Sequence, residues 1–133
     1  MWRYQPVTTE IQVPADLAES YKLRKIVTFL ASGLLFDRSD IADVELAVGE
    51  AFTNAVRYGI GSSKVFVKVD SSSNREFSVE LKYRGREFDT RVTCPEKPTH
   101  TGGYGRFLMQ QVTDGVRYYF KDGNTIVRLT KRR

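Results

Sequence analysis

A glutamate and an asparagine four residues apart, Glu50 and Asn54, sit in the string LAVGEAFTNAVRYG. On a helix that spacing places the two side chains one turn apart on the same face. An amide oxygen is a hard ligand suited to Mg²⁺. A carboxylate beside it can take the proton of a hydroxyl that attacks a phosphate. Asp43 and Arg57 share the stripe, and so do Leu46 and Ala47, so it is not a purely polar face. A second group, Gly102-Gly103-Tyr104-Gly105, runs into a segment carrying Leu108 and Val112 at helical spacing. Glycines let the backbone come close to a ligand, and the N-terminus of a helix offers free N–H groups and the positive end of its dipole. Alone, the stripe reads as an ordinary solvated helix face and the glycines as a turn. Together they favour phosphate chemistry.

The elements that must hold these residues are readable from the hydrophobic pattern. Thr8 to Val13 reads as a strand, with Ile11 and Val13 alternating with polar residues. Pro14 is expected to open the first helix, whose apolar positions are Leu23, Ile26, Val27, Leu30 and Leu34. Gly33 and Phe36-Asp37 close it. Asp40 is the expected N-cap of a second helix. Ile41, Val44, Val48, Phe52 and Ala55 form its apolar face opposite Glu50 and Asn54, and Gly59 and Gly61 end it. Val65, Val67 and Val69, then Phe77, Val79, Leu81 and Tyr83, alternate as two strands of a hairpin turning at 71–74. The stretch 84–101, with Pro95 and Pro98, is a long irregular loop, a length that often carries function. A short helix follows the glycines and stops at Gly115. A last hairpin joins Val116–Phe120 to Thr125–Leu129 through Asp122-Gly123-Asn124. This order predicts an α+β fold, a two-layer sandwich with helices on one face of a mixed or antiparallel sheet.

Composition narrows the function classes. A chain of 133 residues, 41% hydrophobic and 28% charged, is expected to form a single domain over 1–133. One cysteine, Cys94, permits no internal disulfide and fits a reducing compartment. With one histidine, His100, it leaves too few ligands for a Cys/His metal site. The N-terminal MWRYQPVTTE lacks the apolar core of a signal peptide, and no apolar run reaches the length of a membrane span. A cytoplasmic protein with no membrane partner is the expectation. The net charge of +5 is scattered, apart from Lys131-Arg132-Arg133, which reads as a solvated tail. Neither a motif nor aromatic–basic interleaving supports nucleic acid as a partner.

Taken with their spacing, the motifs identify a family. LAVGEAFTNAVRYG resembles the N-box of the GHKL (histidine kinase-like) ATPase superfamily, in the form found in anti-sigma factor serine kinases. GGYGRFLMQQVTDGV resembles the family's glycine box with its following helix and Asp, and YRGREFD its D-x-G-x-x-F-D segment. The resemblance spans nearly the whole chain in the right order. It implies a Bergerat-type sandwich that binds ATP with Mg²⁺. It also implies a protein that sequesters a sigma factor and phosphorylates a serine of an anti-anti-sigma (STAS-type) partner, and it suggests a homodimer. By position, Glu50 would be the general base and Asn54 the Mg²⁺ ligand. Gly85 would sit on the adenine side, Gly103 and Gly105 at the phosphates, and residues 90–102 would form the lid. Arg106, beside those glycines, is expected to add positive charge there.

One position departs from the pattern. Where the family carries the Asp that accepts a hydrogen bond from the adenine amino group, this chain has Tyr83. Tyr83 continues the apolar alternation of its strand and is expected to point inward. A phenol there either fills adenine's space or offers its OH as a changed partner. Leaving a buried donor without its acceptor costs about 1–3 kcal/mol, so ATP affinity is expected to be weakened. Two readings therefore stand: a protein serine kinase, and a degenerate kinase-like module that regulates through protein contacts alone.

Overall fold

The computed structural model describes residues 8–34, 36–61, 63–71, 75–88, 90 and 103–133. Five strands, β1 (Thr8–Pro14), β2 (Lys64–Asp70), β3 (Glu76–Arg84), β4 (Gly115–Lys121) and β5 (Asn124–Arg132), form one sheet in the order β1-β2-β3-β5-β4. Every neighbouring pair is antiparallel, which decides between the mixed and antiparallel alternatives. Helices α1 (Ser20–Ser32), α2 (Arg38–Tyr58) and α3 (Gly103–Val112) form the second layer, with α2 between the other two and touching both.

The register explains which side chains meet the helices. Ile11, Val67, Leu81, Val127 and Tyr118 form one cross-strand row, and Tyr83, Thr125 and Phe120 form a neighbouring row. Side chains alternate across a strand, so both rows point the same way, toward the helices. From the helix side, Val44, Ala47, Val48, Ala51, Phe52 and Ala55 bury one stripe of α2 against them. The alanines keep that stripe thin enough for α2 to lie close to the sheet.

Several local expectations are corrected. Pro14 ends β1 instead of opening a helix. The chain then makes a single 3-10 turn, Leu17–Glu19, capped by the Asp16 side chain, and α1 begins at Ser20. The cap of α2 is Asp37, whose carboxylate accepts from the Asp40 N–H at 2.8 Å. Asp40 is thus the residue being capped. In α1 the buried stripe is Leu23, Val27 and Ala31, while Ile26 is exposed. The last hairpin turns on two residues, Asp122 (φ 54°) and Gly123 (φ 77°), the pair of positive φ values that a tight type I′ turn needs. Asn124 belongs to the strand.

Of the basic C-terminal run, Arg132 and Arg133 are exposed but Lys131 is not. Strand β5 continues through Arg132. Lys131 is largely buried, and its Nζ donates to Asp43 Oδ2 at 3.0 Å and to the Val112 carbonyl at 2.9 Å. A single ammonium thereby joins β5 to α2 and to the C-terminal end of α3, where the dipole favours a cation. Arg132 pairs with Glu76 across the sheet. The expectations for residues 91–102 of the lid, for Asp89, which matches the closing Asp of the D-x-G-x-x-F-D segment, and for the turn at 72–74 lie outside the described residues.

Candidate functional site

Helix α2 carries both chemical candidates. Asn54 faces a pocket of about 300 Å³ between α2, α3 and the β3/β5/β4 end of the sheet. That volume is at the lower end of what small-molecule sites occupy. Glu50, one turn earlier, stands against the first turn of α3. A Cβ placed on Gly105 would lie 2.6 Å from Glu50 Oε2, so only a residue without a side chain lets the carboxylate and that backbone approach so closely. Gly103 and Gly105 fall within the first turn of α3 and not in a loop ahead of it. The backbone of that turn therefore lies beside Glu50. The structure brings Glu50, Asn54, Gly105 and Arg106 to one corner. Asp43 points elsewhere, into its pairing with Lys131.

The opposite end of the pocket is aromatic. Tyr83 is inward, as its alternation predicts, and only 5% exposed. Its ring is wedged between two glycines: a Cβ on Gly85 would come within 3.3 Å of Tyr83 Cε2, and one on Gly59 within 3.6 Å of Cδ2. Gly85 also abuts Thr125, whose Oγ1 would be 2.7 Å from such a Cβ. Phe88 packs edge-on against Tyr118 and Phe120, each with ring centroids 5.1 Å away. The Arg106 guanidinium lies over the Phe88 ring at 5.1 Å, a cation–π contact that holds Arg106 at the pocket wall.

Burial and charge act on the phenols in opposite senses. Desolvation pushes Tyr83 up to about 12, partly offset by the positive charge of Arg106. Tyr118 is pushed higher still by burial, again opposed by Arg106. Both stay protonated at any physiological pH. The hydroxyls of Tyr118 and Thr125 are buried with no hydrogen-bond partner among the described residues. A hydroxyl in that state costs on the order of 1–3 kcal/mol until a partner reaches it.

These residues fit a nucleoside triphosphate unevenly. Bare backbone at Gly105, the first turn of α3 and the Asn54 amide suit phosphates and a cation, while the Arg106 guanidinium is turned to the aromatic end, over Phe88. At the other end no carboxylate meets a 6-amino group, because Tyr83 stands there. Tyr118, Thr125 and Phe88 were missed by reasoning from sequence. For Tyr118 and Thr125 the signal was a hydroxyl at an inward position of an alternating segment, which reads as core until the strands are paired; Phe88 lies beyond β3 and carried no periodic signal.

A family model described as the histidine kinase-like ATPase domain matches residues 13–131. Serine-protein kinase RsbW of Bacillus licheniformis is 29% identical over 130 residues, covering 88% of this chain and 81% of that protein. Its namesake in Staphylococcus aureus is 27% identical over 136 residues, covering 88% and 82%. The solved structure of the RsbU and RsbW domains of a Mycobacterium tuberculosis protein superposes with a TM-score of 0.73 at 19% identity, over 95% of this chain and 32% of that one, a likeness of fold. With nearly the whole chain matched, residues 13–131, the chain belongs to the histidine kinase-like ATPase domain family.

Proposed function

We propose that this chain is a cytoplasmic, single-domain regulatory protein serine kinase of the anti-sigma type. In this reading it transfers the terminal phosphoryl group of a nucleoside triphosphate, ATP in the family pattern, to a serine of an anti-anti-sigma partner, and it sequesters a sigma factor. The observation that carries the reading is the contact of Glu50 with the glycine-bearing first turn of α3, one helical turn from an Asn54 that faces the pocket. Nothing in the packing of the core calls for that pair. The nucleotide, with Mg²⁺, supplies the transferable phosphoryl group. The first turn of α3 and Gly103 and Gly105 hold the phosphates, Asn54 offers its amide oxygen to the cation, and Arg106 adds positive charge at the wall. Gly85 keeps the base end open beside Tyr83. Glu50 orients the serine hydroxyl and accepts its proton.

Radiolabel transfer to a purified anti-anti-sigma protein tests this. General-base contributions run to about 10²–10⁴-fold, so Glu50→Ala should lower transfer by at least roughly 100-fold while nucleotide binding persists. Undiminished transfer removes Glu50 from the role. A second reading, a module that binds partners without nucleotide, is favoured by the buried Tyr83 ring at the base end. It requires that no nucleotide bind at millimolar concentration.

A further inference from the structure

The helices cover one face of the sheet and leave the other open. Lys64, Phe66 and Lys68 of β2 alternate out of the core and are exposed, and a groove of about 560 Å³ lies across this outer face. The register sets two neighbouring rows on it. One is Gln12, Phe66, Lys82, Ile126 and Tyr119, and the other is Glu10, Lys68, Glu80, Arg128 and Arg117, each read from β1 to β4. Phe66 is 42% exposed and Tyr119 43%. Large apolar side chains among charges on a bare sheet face mark a surface that associates.

We propose that this face is where two copies of the chain meet. Twisted sheets stack face to face with their strands nearly aligned, and a two-fold contact uses one patch on both copies. An axis parallel to the strands keeps each row facing itself, in reversed strand order. If the axis passes between β2 and β3, β2 lies over β3 of the second copy and β1 over β5. Lys68 then faces Glu80 of the second copy, and Glu10 faces Arg128 of the second copy. Phe66 comes opposite Lys82 of the second copy, the residue type that already lies 5.1 Å over its ring within the chain. The charges choose this centring. An axis on β2 would set Glu10 against Glu80 of the second copy, and an axis on β3 would set Lys68 against Arg128 of the second copy.

Light scattering of the full chain across a concentration series tests the proposal, and the parent should be a dimer. Lys68→Glu and Glu80→Lys each place like charges at both symmetry-related contacts, and each should weaken the dimer at least roughly tenfold. Mixed in equal amounts, the two variants should pair with close to the parent's affinity, because each reversed charge then meets the other. Glu80→Lys also gives up the in-chain pair with Arg128 at 2.9 Å, so circular dichroism checks its fold. Phe66→Asp, at an exposed position, should give the same loss without touching that pair. A monomeric parent overturns the proposal. So does a dimer as tight in Lys68→Glu and Phe66→Asp as in the parent, which would place the contact on another surface. A mixture of folded variants no tighter than either alone overturns the pairing of Lys68 with Glu80 and the centring with it.

Discussion

Tyr83 links a single substitution to the protein's behaviour in alkali. A tyrosine in the unfolded chain loses its proton near pH 10, whereas the buried Tyr83 holds its proton to about 12. Between those values the unfolded state binds fewer protons than the folded one, so stability falls as pH rises. The contribution is fully present below about pH 10 and is lost through about pH 12. Tyr118, shifted further in the same direction, adds to the fall. Urea denaturation midpoints measured from pH 9 to about 12 should therefore drop, and the drop should be shallower in Tyr83→Phe. Equal slopes in the two proteins would contradict the burial argument. The same ring crowds Gly85, where a Cβ would come within 3.3 Å of it and 2.7 Å of Thr125 Oγ1.

Between elements, the most informative contact is that of Lys131. Its ammonium joins β5 to Asp43 on α2 and to the final carbonyl of α3. The side chain is 13% exposed and Asp43 33%, so water screens the pair only in part. Hydrogen bonds to charged groups contribute about 1.5–3 kcal/mol, and partial exposure places the cost of Lys131→Ala nearer the lower figure, about 1–2 kcal/mol. Chemical denaturation should show that loss. It should also loosen the C-terminal turn of α3, visible as faster amide exchange there, because α3 would lose its tie to β5. Exchange unchanged in α3 would mean that packing alone holds the helix. Since α3 also presents Gly103, Gly105 and Arg106, this contact supports the site from outside it.

The fold as a whole depends on α2, flanked by α1 and α3, packing against the sheet. Phe52 is fully buried at the centre of that layer. Truncating such a ring to alanine costs about 3–5 kcal/mol, against a total stability for a domain of this size of about 5–15 kcal/mol. Phe52→Ala should therefore lower the urea midpoint far more than the Lys131 variant does, and leave a detectable unfolded fraction. A midpoint within experimental error of the parent would mean that the helix layer is not held by this core.

Much of this was legible in the chain. Alternation in Val65–Val69 and Phe77–Tyr83 fixed both strands and their inward faces, because a strand's side-chain period does not depend on its neighbours. The spacing in LAVGEAFTNAVRYG gave the helix and set Glu50 and Asn54 on one face, because helical geometry is local as well. Boundaries were less secure. Asp37 and Asp40 are both acceptable caps, and the packing of Phe36 against Phe77 accompanies the choice of Asp37. Pairing across distance was not readable at all. Only the register puts Tyr83 beside Thr125, only the tertiary packing places Phe88 against the β4 aromatics and Arg106 over Phe88, and only β5's full length takes Lys131 out of solvent. Local periodicity is written residue by residue along the sequence, whereas the aromatic end of the pocket is made by side chains that meet only when the sheet and the helices close on one another.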